Sequence, residues 1–559
     1  MNKFLNIQFF KRDILKNARS SLFQISQAHN FVWQYIDFRE TKIKVTNQII
    51  IVTLGIVGFI MLALLLSSCS QMDVRSLDNT DGVTVTKTPR ADSKFSSKRG
   101  NLISVFPALN ENYEPNPGIG WQHEPGEDDF KYLPETVAYS DRKAISWKIL
   151  NPAEGVYNWS LLDDQLAASV AAGKQYSFRI YTMMGENFGG NQVPDWVLQK
   201  GAALLVSGEP DYSNCIYQEE WGKFVMELVK RYDGNPDIAF IDISGYGNFN
   251  EWSWQNDQTN WDAVWEQHYS DNTATPETME TLDSQARRRL ADMFIGGSIK
   301  SHSCSDEAGN LETISYSYKG FQKTQLVMPY AGINQSTQYV FLRRSDVGFR
   351  YDCLGNYTGG IFDRLEKEIS STWKNAPVVF ELCDSSRFDI TLADGSLQVF
   401  HGSVVHNNGY TGERNAIHDL MLYAGYRYFL KEAQLQVQAE NKISLSMIWQ
   451  NIGLAPSYPK MGQIFQIHFY LVNLTNHRTI DYPISADVSA WMPAASPDLT
   501  APGTRITTQL ILPSDLDSGD YEGRLSIIDE RTGKPINLAF SKPDSLGRYY
   551  LTSFPLYSR

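Results

Sequence analysis

The sequence is poor in cysteine and in positive charge, and each shortage removes a class of function. Its five cysteines in 559 residues stand at 69, 215, 304, 353 and 383. With no C-x-x-C pair and no His-rich spacing, a zinc site lacks a ligand set, and no metal or organic cofactor is implied. Lys and Arg number 50 against 63 Asp and Glu, a formal net charge of −13. Eight of those cations and three of the acids fall in the first 69 residues, a local +5 that leaves −18 on the remainder. So acidic a body argues against nucleic acid as a partner. Cys215 could pair with Cys304, and Cys353 with Cys383, since the latter two follow strands expected to be neighbours. The sequence leaves that connectivity open.

What is present begins with a long uncharged run. Residues 1–48 are basic and lack periodicity; Ile49 to Leu66 then runs 18 residues without a charge and leads into Ser67-Ser68-Cys69. Such a run after a basic segment is a signal sequence or signal anchor. Leu66-Ser67-Ser68-Cys69 resembles the lipobox of bacterial lipoproteins. That resemblance implies cleavage before Cys69, lipidation of Cys69, and a membrane-anchored body outside the cytoplasm, at an outer membrane or cell surface. The basic region is longer than such signals usually have, and an uncleaved anchor is the alternative. Residues 70–103 are polar and read as a flexible tether; as a coil, its 31 residues from Ser70 to Gly100 would span roughly 30 Å.

Residues 104–432 alternate short apolar runs with helical stretches, which calls for a parallel sheet with crossover helices. Strands are expected at Gly118–His123, Ala144–Leu150, Tyr176–Tyr181, Ile238–Asp242, Gln325–Tyr330, Val347–Tyr351, Pro377–Phe380 and Gly425–Leu430. Eight such units predict a TIM (β/α)8 barrel, with a doubly wound sheet as the alternative. Residues 433–559 switch to a period of two, as in Ile443, Leu445 and Met447, and predict an all-β sandwich. Its expected role is to cover a barrel face, with glycan binding as the alternative.

The stretch IAFIDISGYGNFNEWSW, from Ile238 to Trp254, concentrates the chemistry. A buried strand runs into a glycine-rich loop bearing Asn250, Glu251, Trp252 and Trp254. A carboxyl there can protonate a leaving oxygen, the amide can bond a sugar hydroxyl, and the indoles can stack on sugar rings. Trp261 and Trp265 crowd the same loop. Glu381 ends the seventh strand, while Glu186 and Asp352 follow the third and sixth. Arg179 and Lys148 are candidate cations for a carboxylate or a hydroxyl, and Asp242 reads as a paired core carboxylate. His123, His406 and Asn407 fall on loops expected at the same end.

The run RKAISWKILNPAEGVYNWSLLDDQL resembles the second-strand region of clan-A glycoside hydrolases, especially the β-galactosidase-like ones. Arg142, Trp147, Pro152, Glu154, Gly155, Tyr157, Trp159 and Asp163 fill that pattern, and Asn151 stands where the clan often has Glu. Asn250-Glu251 is similar to the clan's Asn-Glu pair, and Glu381 to its nucleophile position. The likeness covers about residues 115–432. It implies a retaining glycoside hydrolase with Glu251 as acid/base and Glu381 as nucleophile. His123, Trp147, Arg179, Glu186, Asn250, Trp252, Trp254, Asp352, His406 and Asn407 are then the expected contacts to an oligo- or polysaccharide. The chain also resembles bacterial barrel lipoproteins with a β-sandwich tail, whose substrates do not follow from the clan. A non-catalytic glycan-binding lipoprotein on the same scaffold is the competing expectation.

Overall fold

The computed structural model describes residues 102–557 apart from 127–130, 141–144, 206–207, 253–281, 331–334, 357–368, 384, 439–440 and 497–498. Cys69, the uncharged run and Trp254 lie outside them, as do Arg142, Trp261, Trp265 and all but the last two tether residues. Among the described residues no helix is long and apolar enough to cross a membrane.

Eight parallel strands form a nearly closed barrel. They are β1 (Gly120–His123), β2 (Val137–Tyr139), β3 (Gln175–Phe178), β4 (Ile238–Asp242), β5 (Leu326–Tyr330), β6 (Gly348–Tyr351), β7 (Val378–Leu382) and β8 (Gly402–Asn407). Their hydrogen-bonded order is β1-β8-β7-β6-β5-β4-β3-β2. Side chains bridge the remaining seam: Gln122 Nε2 donates to Val137 O (3.2 Å) and Thr136 Oγ1 to Ile119 O (2.6 Å). Helices such as Cys215–Tyr232 pack outside, with Trp221, Phe224, Val225 and Leu228 buried against the strands.

Two strands differ from expectation. Trp147–Leu150 is a helical turn whose buried residues are Trp147 and Leu150, three apart, and the second strand is Val137–Tyr139. A short apolar run fits either period, and here the helical one prevails. The eighth strand is Gly402–Asn407, buried at every position, as a barrel strand covered on both faces must be. The run expected there instead opens a long strand, β9 (Tyr428–Gln438), in which buried and less buried residues largely alternate. That pattern belongs to a sheet with one covered face.

β9 pairs with β10 (Lys442–Asn451), which pairs with β13 (Thr504–Ile511). The opposing sheet holds β11 (Phe465–Asn473), β12 (Thr479–Ile484), β14 (Gly519–Asp529) and β15 (Tyr549–Leu556). Their inner faces share one apolar core, in which Leu445, Met447, Trp449, Ile467, Phe469, Leu525 and Ile527 are buried. Leu102–Val105, upstream of the barrel, adds a strand beside β9, so the sandwich draws on both ends of the described chain.

The link between β10 and β11 closes the N-terminal end of the barrel. Ala455, Tyr458 and Met461 complete a buried cluster with Val137, Ala239, Phe240, Val327, Val379 and Val404 from the strands. Polar atoms fix the plug: Gln175 Nε2 donates to Met461 O (2.5 Å), Tyr458 Oη to Trp373 O (2.6 Å) and Gln463 Nε2 to Gly118 O (3.2 Å). Two disulfides occur among the described residues. Cys215–Cys304 joins an outer helix to the hairpin Gly297–Ser305/Leu311–Tyr318, and Cys353–Cys383 joins the segments after β6 and β7.

Candidate active site

Asp242 ends β4 fully buried. A carboxylate cannot stay there uncompensated. Arg179, directly after β3, places Nε 3.0 Å from Asp242 Oδ2, and Arg350 on β6 does the same at 3.0 Å. Tyr139 Oη donates to Oδ2 from 3.1 Å. Asp242 is therefore the paired core carboxylate expected, and it orients two guanidinium groups.

Each guanidinium leads to a candidate carboxylate. Arg179 Nη1 lies 3.0 Å from Glu251 Oε1 and donates to Phe249 O (3.1 Å). Arg350 Nη1 lies 3.4 Å from His406 Nδ1, which lies 3.2 Å from Glu381 Oε1. Asn408 Nδ2 donates to the same oxygen (3.3 Å). Glu381 and His406 are register partners on β7 and β8, so their side chains leave the sheet on the same side. Glu251 and Glu381 are thus the two ends of one chain of contacts through Arg179, Asp242, Arg350 and His406.

Their protonation tendencies diverge. Burial pushes the Glu251 pKa up; Arg179 opposes this and the Glu381 charge adds to it, leaving a value of about 7. Burial also acts to raise Glu381, but the His406 contact and the charges of Arg350, His406 and Arg179 outweigh it and hold its pKa well below the carboxylate range. Asp352, directly after β6, is pushed well above that range by burial and then by the Glu251 and Glu381 charges. Among the described residues, Asp352 with Cys353 and Cys383 is the cluster of metal-ligating types. Both of its sulfurs are tied up in the disulfide.

The loop bearing Glu251 is wound tightly. Phe249, Asn250 and Trp252 have φ of 50°, 56° and 63°, in the left-handed region that non-glycine residues seldom adopt. Gly245 is required: a Cβ there would lie 2.3 Å from Trp221 Nε1. Asn250 holds the winding, accepting from Thr182 N (2.9 Å) and Gly245 N (3.3 Å) and donating to Gly247 O (3.1 Å).

These placements correct several expected substrate contacts. Asn250 is fully buried, with its amide engaged in bracing the loop. Trp252 is buried on Tyr246, its Nε1 donating to Ile243 O, and Trp147 is buried against Trp221. Neither indole has a free face for a sugar. Asn407 is buried and closes a turn through Tyr410 N and O (2.9 Å each). His406 is buried beside Glu381, and His123 pairs with Glu135 at 3.1 Å. Lys148 pairs with Asp195 (2.6 Å). Glu186 opens a helical turn, Glu186–Phe188, after β3; its side chain lies outside what is described. That turn supplies an aromatic surface instead: Phe188, 57% exposed, meets Phe249 edge to face at 5.6 Å.

Glu124, Tyr139, Phe188, Phe249 and Asn408 were not singled out in sequence. The available signal was Asp242 itself, because a charge inside an apolar run demands partners.

No family model matches the chain. No curated protein matches it. Solved structures that match include a β-galactosidase from the psychrophilic Marinomonas ef1, at 11% identity, TM-score 0.29 and 52% of each chain. Others are CbXyn10B in its native form and a GH10 endoxylanase retrieved from a sugarcane soil metagenome. Both share 10% identity and 52% of this chain, covering 84% and 66% of theirs, at TM-scores of 0.28 and 0.27. The match thus spans about half of the β-galactosidase's length. Likeness at this level adds nothing to the barrel that the strand order already shows. Fold and site together define a (β/α)8-barrel protein with two linked carboxylates beyond the C-terminal ends of β4 and β7, Glu381 buried and Glu251 partly exposed.

Proposed function

We propose that this chain is a retaining glycoside hydrolase acting on an oligo- or polysaccharide outside the cytoplasm. Glu251 serves as acid/base and Glu381 as nucleophile. The observation that carries the reading is a pair of linked carboxylates in opposed environments. Glu251 lies against Arg179, with its pKa raised to about 7 by burial. Glu381 lies against His406, with its pKa held low by that contact and the nearby cations.

In the first step Glu251 gives its proton to the glycosidic oxygen while Glu381 attacks the anomeric carbon and the leaving group departs. The ester formed is then opened by water, which loses a proton to Glu251 and frees Glu381. Phe188 and Phe249 offer an aromatic face on the acid/base side, where the leaving group would lie. The disulfides suit an oxidising compartment, in keeping with a lipid anchor at Cys69. Lipid labelling that survives Cys69→Ala would remove that anchor from the account.

A screen of aryl glycosides and oligosaccharides, read by NMR for the anomer first released, tests the reaction. Retention at the anomeric carbon is expected; inversion would contradict Glu381 as nucleophile. A non-catalytic glycan-binding role is favoured by one contact, Arg179 on Glu251, which opposes proton donation. Glycan binding with no turnover across the screen would support that second reading.

A further inference from the structure

His406 stands between two carboxylates. Its Nδ1 faces Glu381 Oε1 at 3.2 Å, and its Nε2 faces Glu124 Oε2 at 3.4 Å. Glu124 directly follows β1, the neighbour of β8, and its backbone N donates to Asn407 O (3.1 Å). All three groups are buried, His406 at 1% exposure. The remaining surroundings are fixed by other strands. Tyr139 of β2 presents its ring at 4.6 Å, Arg350 of β6 approaches at 3.4 Å, and Asp242 of β4 holds both of these from below. Asn408 touches Glu381 from beyond β8, the Arg179 charge from just after β3 favours its ionised form, and the Glu381 charge in turn raises Glu251 and Asp352, which follow β4 and β6.

An imidazole with a carboxylate at each nitrogen satisfies both only when both nitrogens carry protons. A neutral ring would turn a lone pair toward one anion. We propose that Glu124 is a positioning residue that keeps His406 doubly protonated and aimed at Glu381, so the nucleophile is held ionised and in one orientation. This rests on the glycosidase reading for its consequence, but the relay itself is a property of three side chains.

The balance of effects favours the charged ring. Burial works to lower the His406 pKa, yet the Glu124 and Glu381 contacts overcome it and leave the pKa raised, even with Arg350 nearby. Without Glu124, burial and Arg350 would face Glu381 alone. When Glu381 becomes an ester it loses its charge, and Glu124 is then the anion that keeps the imidazolium in place for the second step.

The test uses the full chain labelled with 15N-histidine, the His406 signal being assigned by its absence in His406→Asn. In the wild type both ring nitrogens should stay protonated through neutral pH. In Glu124→Gln the ring should lose a proton at a pH lower by about one unit or more, as expected for removal of an adjacent opposite charge. The same variant should lower kcat about tenfold or more while KM holds, because the nucleophile and not the binding surface is disturbed. A purely structural Glu124 would instead lower the melting temperature without moving the imidazole titration. A His406 that is neutral in the wild type, or that titrates identically in Glu124→Gln, overturns the proposal. If the chain hydrolyses no glycoside, the glycosidase reading fails while the imidazole titration still decides the relay.

Discussion

Arg179 Nη1 lies 3.0 Å from Glu251 Oε1 while Nε of the same guanidinium lies 3.0 Å from Asp242. One cation therefore serves both the buried floor and the candidate acid. Its pull on Glu251 works against burial, and the resulting pKa of about 7 is a compromise between the two.

Replacing Arg179 with Gln should release that pull. Glu251 would hold its proton to a higher pH, so the alkaline limb of kcat/KM, expected near 7 in the wild type, should move upward. Stability should fall by about 3–5 kcal/mol, because Asp242 keeps Arg350 but loses a buried partner. A limb that stays in place would show that Glu251 does not set it.

Glu251 also links stability to pH. A carboxyl whose pKa is raised on folding stabilises the fold below its unfolded value and loses that contribution as pH rises through about 7. Glu251→Gln, which never ionises, should therefore gain on the wild type between pH 4.5 and 8, by up to about 3 kcal/mol. Glu381, lowered on folding, works in the opposite sense and contributes stability above its unfolded pKa that is lost as pH falls. Parallel wild-type and Glu251→Gln stability curves would contradict the raised pKa.

The two disulfides should separate stability from activity. Cys353–Cys383 ties the segments carrying Asp352 and Glu381, and Leu354 N donates to Glu381 O (2.7 Å) beside it. Replacing both of those cysteines with serine should reduce kcat. The same change at Cys215 and Cys304, on the outer helix and hairpin, should cost about 2–4 kcal/mol of stability and leave kcat alone. Equal effects of the two changes on kcat would refute the distinction.

The sandwich should prove inseparable from the barrel. Deleting residues from 433 onward removes Ala455, Tyr458 and Met461 from the N-terminal end and exposes an apolar cluster. The truncated chain should aggregate or unfold, and Met461→Ala alone should cost about 2–5 kcal/mol. A soluble, cooperatively folding barrel after that deletion would contradict the role assigned to the plug.

Much of this was legible in the sequence because the informative residues violate local rules. Asp242 sits in an apolar run and is buried between Arg179 and Arg350; Glu251 follows glycines that end a buried strand and lies against Arg179. The second and eighth strands were misplaced because runs of a few apolar residues do not fix their own period. The tryptophans misled for a related reason: an indole beside a carboxylate can face substrate or core, and tertiary packing chose the core for Trp147 and Trp252. The contacts joining Arg350, His406, Glu381 and Glu124 depend on register across β6, β7, β8 and β1. No linear pattern encodes that register.

Glu381→Gly with azide tests the central claim most directly. The variant should lose turnover of an activated aryl glycoside that the wild type cleaves. Azide should restore part of it by entering the space left by the carboxylate, giving a glycosyl azide of inverted anomeric configuration. Unchanged turnover in Glu381→Gly, or a rescued product with retained configuration, would contradict Glu381 as the nucleophile.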